Sequence, residues 1–354
     1  MKEKVVVGMS GGVDSSVTAY LLKQQGYDVY GVTMQVWREE GDPSGELISD
    51  FVDARKVCEK LDIPYSFINL KSEFDNIVIS DFCNEYLHGR TPNPCAVCNR
   101  FVKWKSILTT ADEKNARYVA TGHYARIITL QNGRFTVKNA ASSKKDQTYV
   151  LYNLTQEQLS RTLMPVGEYD KDEVRKIASE IGLNVADKKD SQDICFIDDG
   201  DYAKFIEEKV PDAKIRCPEG NFEWKDGSIV GRHKGILHYT IGQRKGLGIA
   251  LGKHAFVKEI DAENNRVILS DNEDLFSDHL YAKNINYMGE ESFDPDKTYV
   301  AKVRYSHAGT KCRIETEDDR VKVIFDEPVR AITPGQAVVV YDGDYIAGGG
   351  IIER

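Results

Sequence analysis

The stretch Gly8-Met-Ser-Gly-Gly-Val-Asp-Ser-Ser16 constrains this chain more than any other. An apolar run, Val5-Val6-Val7, precedes it and reads as a buried strand. Val17 to Leu22 follows and reads as a helix that stops at Gly26. A strand, a tight Gly11-Gly12 turn and a helix start bring several backbone N–H groups to one point, where the helix dipole adds partial positive charge. That is an anion cradle, built from Gly8, Met9, Ser10, Gly11, Gly12, Val13, Asp14 and Ser15. No Gly-Lys-Ser/Thr follows the glycines, so it is not the common P-loop. Hydroxyls at Ser10, Ser15 and Ser16 can donate to a pyrophosphate, and Asp14 can help hold Mg²⁺. Two glycines alone would mark only a strand-to-helix turn. The serines and the acid point to a nucleotide.

The residues after the cradle alternate strands and helices. Asp28–Met34 and Tyr65–Leu70 read as strands, and Asp50–Leu61 and Ser72–Leu87 as helices, with a polar loop from Arg38 to Ser49. Tyr118–Gly122 reads as a further strand. This alternation predicts a parallel sheet with helices on both faces, and ligands in such sheets bind beyond the carboxyl ends of the strands. The cradle, Met34 and Gly122 all fall at such ends, so a nucleotide is expected there with Met34 and Gly122 flanking its nucleoside. Ile127–Val137 reads as a hairpin turning at Asn132-Gly133. Asp170-Lys-Asp-Glu173 is a capping box, Gly182 a stop signal, and Asp201–Val210 a last helix.

Beyond Pro211 glycines and short apolar stretches dominate. The expected organisation is an α/β catalytic domain over 1–211, a small mainly β domain over 212–280 and a C-terminal β-barrel over 281–354. The chain has 354 residues, 41% hydrophobic and 29% charged, which is globular composition with room for such cores. No stretch reaches membrane-spanning length and no signal segment opens the chain, so the expectation is a cytoplasmic monomer.

The net charge of −9 is unevenly spread. Arg232–Lys258 holds six Lys/Arg, three His and no acid. Lys302–Arg313 holds four more Lys/Arg, again without an acid, interleaved with Tyr305 and His307. Basic side chains among aromatics can track a phosphate backbone and stack on bases, so the two stretches together favour an RNA partner. Lys144-Lys145-Asp146-Gln147 could extend the track.

Seven cysteines is an odd count for a disulfide framework. Cys58, Cys83, Cys217 and Cys312 sit in helix-like or strand-like contexts and read as small buried hydrophobes. Cys95 and Cys98 form a C-x-x-C in the stiff loop Thr91-Pro-Asn-Pro94, and Cys195 follows far downstream. A C-x-x-C can be half a zinc knuckle, a redox pair or a catalytic thiol with a partner. The cradle on the same domain favours the last, because an enzyme that adenylates an oxygen and swaps in sulfur needs a persulfide carrier and a second thiol.

Ser10-Gly-Gly-Val-Asp-Ser15 resembles the SGGxDS loop of the PP-loop ATP pyrophosphatases. With Thr91–Asn99, Thr121-Gly-His-Tyr124, Lys145-Asp-Gln147, Asp190–Phe196, Tyr239–Gly248 and Arg304-Tyr305, the whole chain resembles the tRNA-specific 2-thiouridylases (MnmA/TrmU family). That resemblance implies that Cys195 carries a persulfide and Cys98 is the other catalytic cysteine. It implies that Asn93, Pro94 and Cys95 meet the target base, and that His123, Lys145, Asp146, Gln147, Arg304, Tyr305 and Gln336 contact the tRNA. The implied reaction is ATP- and Mg²⁺-dependent 2-thiolation of the wobble uridine in the anticodon loop. Its sulfur would come from a cysteine desulfurase through a relay protein, and a Cys98–Cys195 disulfide would form on turnover. Many members have Asp where this chain has Cys95. Cys95, Cys98 and Cys195 then also match the three-cysteine pattern by which related tRNA thiolases hold a [4Fe-4S] cluster, a second expectation for the sulfur step. A PP-loop ligase of small molecules is the competing class; it would need neither the basic stretches nor Cys195.

Overall fold

The structure, a computed structural model, describes residues 2–37, 46–183, 194–197 and 199–353. The chain forms strands β1 (Lys4–Gly8), β2 (Asp28–Gln35), β3 (Tyr65–Asn69) and β4 (Tyr118–Ala120), the hairpin β5 (Ala125–Thr129) and β6 (Phe135–Asn139), and β7 (Thr162–Leu163). Five of these make a parallel sheet in the order β3-β2-β1-β4-β7. Val5, Val6 and Val7 are wholly buried because β1 is its central strand, covered on both faces. The chain winds outward from β1 to β3, then returns to place β4 on the other side. The crevice at the carboxyl ends of β1 and β4 is therefore the switch point where such sheets bind ligands. Helix α1 (Val13–Gln24) starts there.

Helix α2 (Glu46–Lys60) begins inside the stretch expected to be a loop, and residues 38–45 of that stretch lie outside the described residues. The expected helix at 72–87 runs from 71 to 87 with a π turn over Asp75–Ile79. A second π turn, Asn99–Lys103, joins helix Pro94–Cys98 to helix Trp104–Glu113. Such turns concentrate at functional sites.

The middle of the chain adds β8 (Gly220–Trp224), β9 (Ile229–His233), β10 (Phe256–Asp261) and β11 (Arg266–Ser270), a four-stranded sheet in the order β10-β11-β8-β9. The C-terminal strands are β12 (Phe276–Tyr287), β13 (Tyr299–Lys302), β14 (Thr310–Glu317), β15 (Arg320–Arg330), β16 (Ala337–Asp342) and β17 (Tyr345–Ile352). They pair antiparallel in the order β12-β15-β14-β13-β16-β17, and β12 also pairs with β17, closing a six-stranded barrel. The hairpin β5–β6 is an appendage of this barrel: Lys138 of β6 pairs with Tyr345 of β17.

Polar side chains from the first part of the chain clamp the barrel. The Tyr149 hydroxyl donates to the Ala337 carbonyl at 2.7 Å, and Arg134 donates to the carbonyls of Tyr287 and Met288 at 2.6 and 3.0 Å. The Asn286 amide donates to the carbonyls of Tyr152 and Leu154 at 2.8 and 3.0 Å. The Tyr152 ring lies so close to β17 that a Cβ on Gly349 would stand 2.6 Å from it.

The tightest backbone approach is at Gly167, where a Cβ would fall 1.9 Å from the Ala125 carbonyl oxygen at the start of β5. Gly167→Ala is expected to destabilise the protein by about 3 kcal/mol, the upper range for overpacking. Gly133→Ala at the hairpin tip, where φ is +82° but nothing lies within 4 Å, is expected to cost about 1 kcal/mol. Urea denaturation midpoints of the two variants check the ordering.

Candidate active site

The cradle is ordered by its own hydroxyls. Ser15 Oγ donates to the Gly12 carbonyl at 3.1 Å and accepts from the Ser10 N–H at 3.2 Å. The Gly12 N–H donates to Ser10 Oγ at 3.4 Å. Ser16 is buried and donates to the Gly12 carbonyl at 2.8 Å, so its hydroxyl serves the turn rather than a ligand. Gly11 sits at φ +71°, which favours glycine. Gly12 precedes α1 without a side-chain cap, leaving the first N–H groups of the helix facing the crevice. Gly122 presses on this turn: a Cβ there would be 2.7 Å from the Ser15 nitrogen. Met34 is the penultimate residue of β2 and lies next to Gly8, its Cε 3.4 Å from where a Gly8 Cβ would stand. Met34 and Gly122 therefore flank the cradle.

Asp14 is held in a way the sequence did not announce. Lys171 Nζ donates to both its carboxylate oxygens at 2.8 Å, and the Tyr124 hydroxyl donates to Oδ1 at 2.7 Å. The carboxylate expected to help hold Mg²⁺ is thus already in an ion pair. Among the described residues no group of three or more side chains is placed to hold a metal ion beside Asp14, so Mg²⁺ fits as a companion of the nucleotide phosphates rather than as a resident ion.

The second cluster lies around the cysteines. Asn93 Oδ1 accepts from the Ala96 N–H at 3.3 Å and caps the helix that Pro94 opens. That short helix carries Cys95, exposed, and Cys98, buried. Asn99 donates to the Val150 carbonyl at 3.0 Å and Asn153 to the Ala96 carbonyl at 3.2 Å, fixing the helix from behind. The π turn then brings Lys103 to the face of Cys98, five residues on. Lys103 interacts electrostatically with Cys98 most strongly, and also with Cys195 and Cys95. Burial pushes the Cys98 thiol up to about 11, with Lys103 pulling the other way and Cys195 and Cys95 adding to the rise. Burial also raises Cys95, although its surface is exposed. The two facts agree if the thiol lies on the floor of a concavity, reachable from solvent yet ringed by protein. Cys195 is exposed, and residues 190–193 of its motif lie outside the described residues.

The three cysteines are within electrostatic reach of one another, but they are not gathered as a metal site. Among the described residues no group of three or more His, Cys, Asp or Glu side chains is placed to hold a metal ion. The [4Fe-4S] expectation for Cys95, Cys98 and Cys195 therefore finds no support among the described residues.

His123 packs its ring 5.5 Å from that of Trp104, and its Nδ1 lies 2.9 Å from Thr121 Oγ1. Burial first, and Lys103 second, lower it to about 3, so the imidazole is neutral at pH 7. Tyr305 stands on the barrel, 55% exposed, and its hydroxyl donates to the Asp146 carbonyl at 3.1 Å. Burial pushes the phenol up, aided by Asp146 and, more weakly, by Cys95, which places the barrel tyrosine beside the sulfur site. Asp146 accepts from the Ala140 N–H at 2.9 Å and from the Thr148 N–H and hydroxyl, and Gln147 Oε1 accepts from the Tyr124 N–H at 2.9 Å. Gln336 donates to the carbonyls of Thr91 and Pro92 at 3.1 and 2.8 Å. Arg304 donates to the Arg330 carbonyl at 3.0 Å. Asp146, Gln147 and Gln336 thus shape the rim of the site.

Lys103, Lys171 and the acceptor role of Asp14 are what sequence reasoning missed. Lys171 left one signal: a lysine in the first turn of a helix opposes the dipole there. Lys103 left none, because its placement depends on a π turn. At pH 7.5 iodoacetamide is expected to label the exposed Cys95 and Cys195 well before Cys98. Cys98 should gain reactivity only as pH rises toward about 11, because the raised thiol stays protonated below that value. Peptide mass spectrometry after timed labelling across pH 7–10 checks the order.

With this geometry in view, three family models match consecutive parts of the chain. They are the tRNA methyl transferase HUP domain over residues 3–199, the tRNA methyl transferase PRC-barrel domain over 203–271 and the aminomethyltransferase beta-barrel domain over 277–352. The tRNA-specific 2-thiouridylase MnmA of Lachnoclostridium phytofermentans is 56% identical over 357 residues, covering 99% of each chain. That of Clostridioides difficile is 50% identical over 360 residues, covering 100% of this chain and 99% of the other. Similarity at this level from end to end means that the chain belongs to the tRNA-specific 2-thiouridylase family.

Proposed function

We propose that this chain catalyses ATP-dependent 2-thiolation of the wobble uridine of tRNA. The observation that carries the reading is the pairing of a pyrophosphate cradle with three cysteines set around one ammonium, at a rim that includes a barrel tyrosine. A small-molecule ligase would use the cradle and leave the thiols and Tyr305 without a task.

The target uridine must leave its stack to be reached. Asn93, Pro94 and Cys95 are the surface that meets it. Lys145, Arg304, Tyr305 and the neutral His123 face the surrounding RNA, on a rim held by Asp146, Gln147 and Gln336. The uridine C2 oxygen attacks the α-phosphorus of MgATP, the bond to the β-phosphate oxygen breaks, and pyrophosphate leaves against the N–H groups and hydroxyls of the cradle. The outer sulfur of a Cys195 persulfide attacks C2, and AMP departs with the oxygen. The Cys98 thiolate then attacks the inner sulfur. The outer sulfur stays on C2 and a Cys98–Cys195 disulfide forms. In a variant of the same balance Cys98 first releases the outer sulfur as hydrosulfide, which attacks C2. An external dithiol supplies the two electrons that reopen the disulfide, and a persulfide-donating protein, a cysteine desulfurase or its relay, reloads Cys195.

Burial works against a Cys98 thiolate, so the charge of Lys103 is what makes one accessible. Lys103→Met is expected to slow sulfur transfer at least tenfold while leaving tRNA affinity within twofold, and Lys103→Arg to recover part of the rate. Single-turnover formation of 2-thiouridine and filter binding separate the two effects.

Incubation with ATP, a sulfur donor and bulk tRNA, followed by nucleoside analysis, tests the whole reading. Wild type is expected to yield 2-thiouridine, and Cys195→Ser and Asp14→Ala none. Wild-type yield from Cys195→Ser would refute the persulfide assignment; no 2-thiouridine from wild type would refute the function.

A further inference from the structure

Lys171 is out of place by every local rule. It is the first residue of the helix Lys171–Glu180, next to the Asp170 cap, where the helix dipole is positive and acidic residues are preferred. Its side chain is only 9% exposed, a costly position for an ammonium. Its ammonium pairs with Asp14, one residue into α1, so the N-termini of two helices and one ammonium converge on the same carboxylate. The Tyr124 ring lies 5.7 Å from the ammonium and its hydroxyl shares Asp14 Oδ1, which fixes the pair in orientation. A residue meant only to neutralise Asp14 could do so from an exposed position at lower cost.

We propose that Lys171 is the phosphate-binding cation of the cradle, supplying the charge that the glycine loop, having no lysine of its own, lacks. The inference rests on the ATP-splitting reading above. Asp14 holds the ammonium in line with the N–H groups of α1. When MgATP enters, the phosphates and Mg²⁺ divide the pair: Lys171 turns to the β- and γ-phosphates and Asp14 to the ion. No bond is made or broken by Lys171. It binds the leaving pyrophosphate and has no part in holding adenosine, which lies toward Met34 and Gly122.

Titration calorimetry of the full chain with inorganic pyrophosphate and, separately, with AMP tests this. Lys171→Met is expected to lose about 30-fold in pyrophosphate affinity, the effect of one charge-assisted hydrogen-bonding group. AMP affinity should stay within about threefold, and Lys171→Arg should regain most of the pyrophosphate affinity. Retained AMP binding also reports that the variant has folded with its site intact. If Lys171→Met loses both ligands together and Lys171→Arg does not restore them, the residue is structural and the inference is overturned. If wild type binds both and Lys171→Met binds pyrophosphate equally well, the inference fails alone. If wild type binds neither ligand, nor ATP, the ATP-splitting reading falls and takes this one with it.

Discussion

The cysteine cluster of this molecule depends on a seam of hydrogen bonds to the backbone between two distant parts of the chain. Gln336, just before β16, donates from its side-chain amide to the carbonyls of Thr91 and Pro92, and the Thr91 N–H donates to the Pro334 carbonyl at 2.9 Å. Gly335 lies between them at φ +91°, and a Cβ there would be 2.9 Å from both the Thr91 nitrogen and oxygen. Prolines 92 and 94 cannot donate N–H bonds, so the loop has few ways to fix itself. The barrel fixes it instead, and in doing so aims the helix that carries Cys95 and Cys98. The barrel therefore helps to set the geometry of the cysteine cluster.

Two buried or half-buried lysines then set the electrostatics of the two halves. Each has a different compensation. Lys171 is matched by a full carboxylate in a bidentate pair. Lys103 makes no hydrogen bond or ion pair with a carboxylate among the described residues; its neighbours are thiols, which are neutral when protonated. A desolvated cation with neutral neighbours favours any step that makes one of them an anion. Burial raises the thiols, and the ammonium lowers the cost of ionising them one at a time.

The sequence made much of this legible. The strand, glycine turn and helix around Ser10-Gly-Gly-Val-Asp-Ser15 predict the cradle because backbone and composition act together over a few residues. The barrel was legible from the glycines and short apolar stretches beyond Pro211. The attachment of the β5–β6 hairpin to that barrel was not, since a hairpin's turn chemistry says nothing of which sheet edge it meets. Nor was the clamp on Asp14, made by residues 110 and 157 positions away. The start of α2 at Glu46 was hidden by the polar run before it. Both π turns escaped because one inserted residue leaves the apolar pattern almost unchanged while rotating every later side chain.

That rotation is what gives Cys95 its meaning. A carboxylate at position 95 would be ionised at pH 7 and would offset the charge of Lys103. The Cys95 thiol, pushed up by burial, is neutral there. With Cys95 neutral, the Lys103 ammonium faces thiols rather than a carboxylate among the described residues. Replacing the acid with a thiol does not merely remove a proton acceptor. It changes the charge beside Lys103 by one unit, which leaves the ammonium free to favour ionisation of a neighbouring thiol.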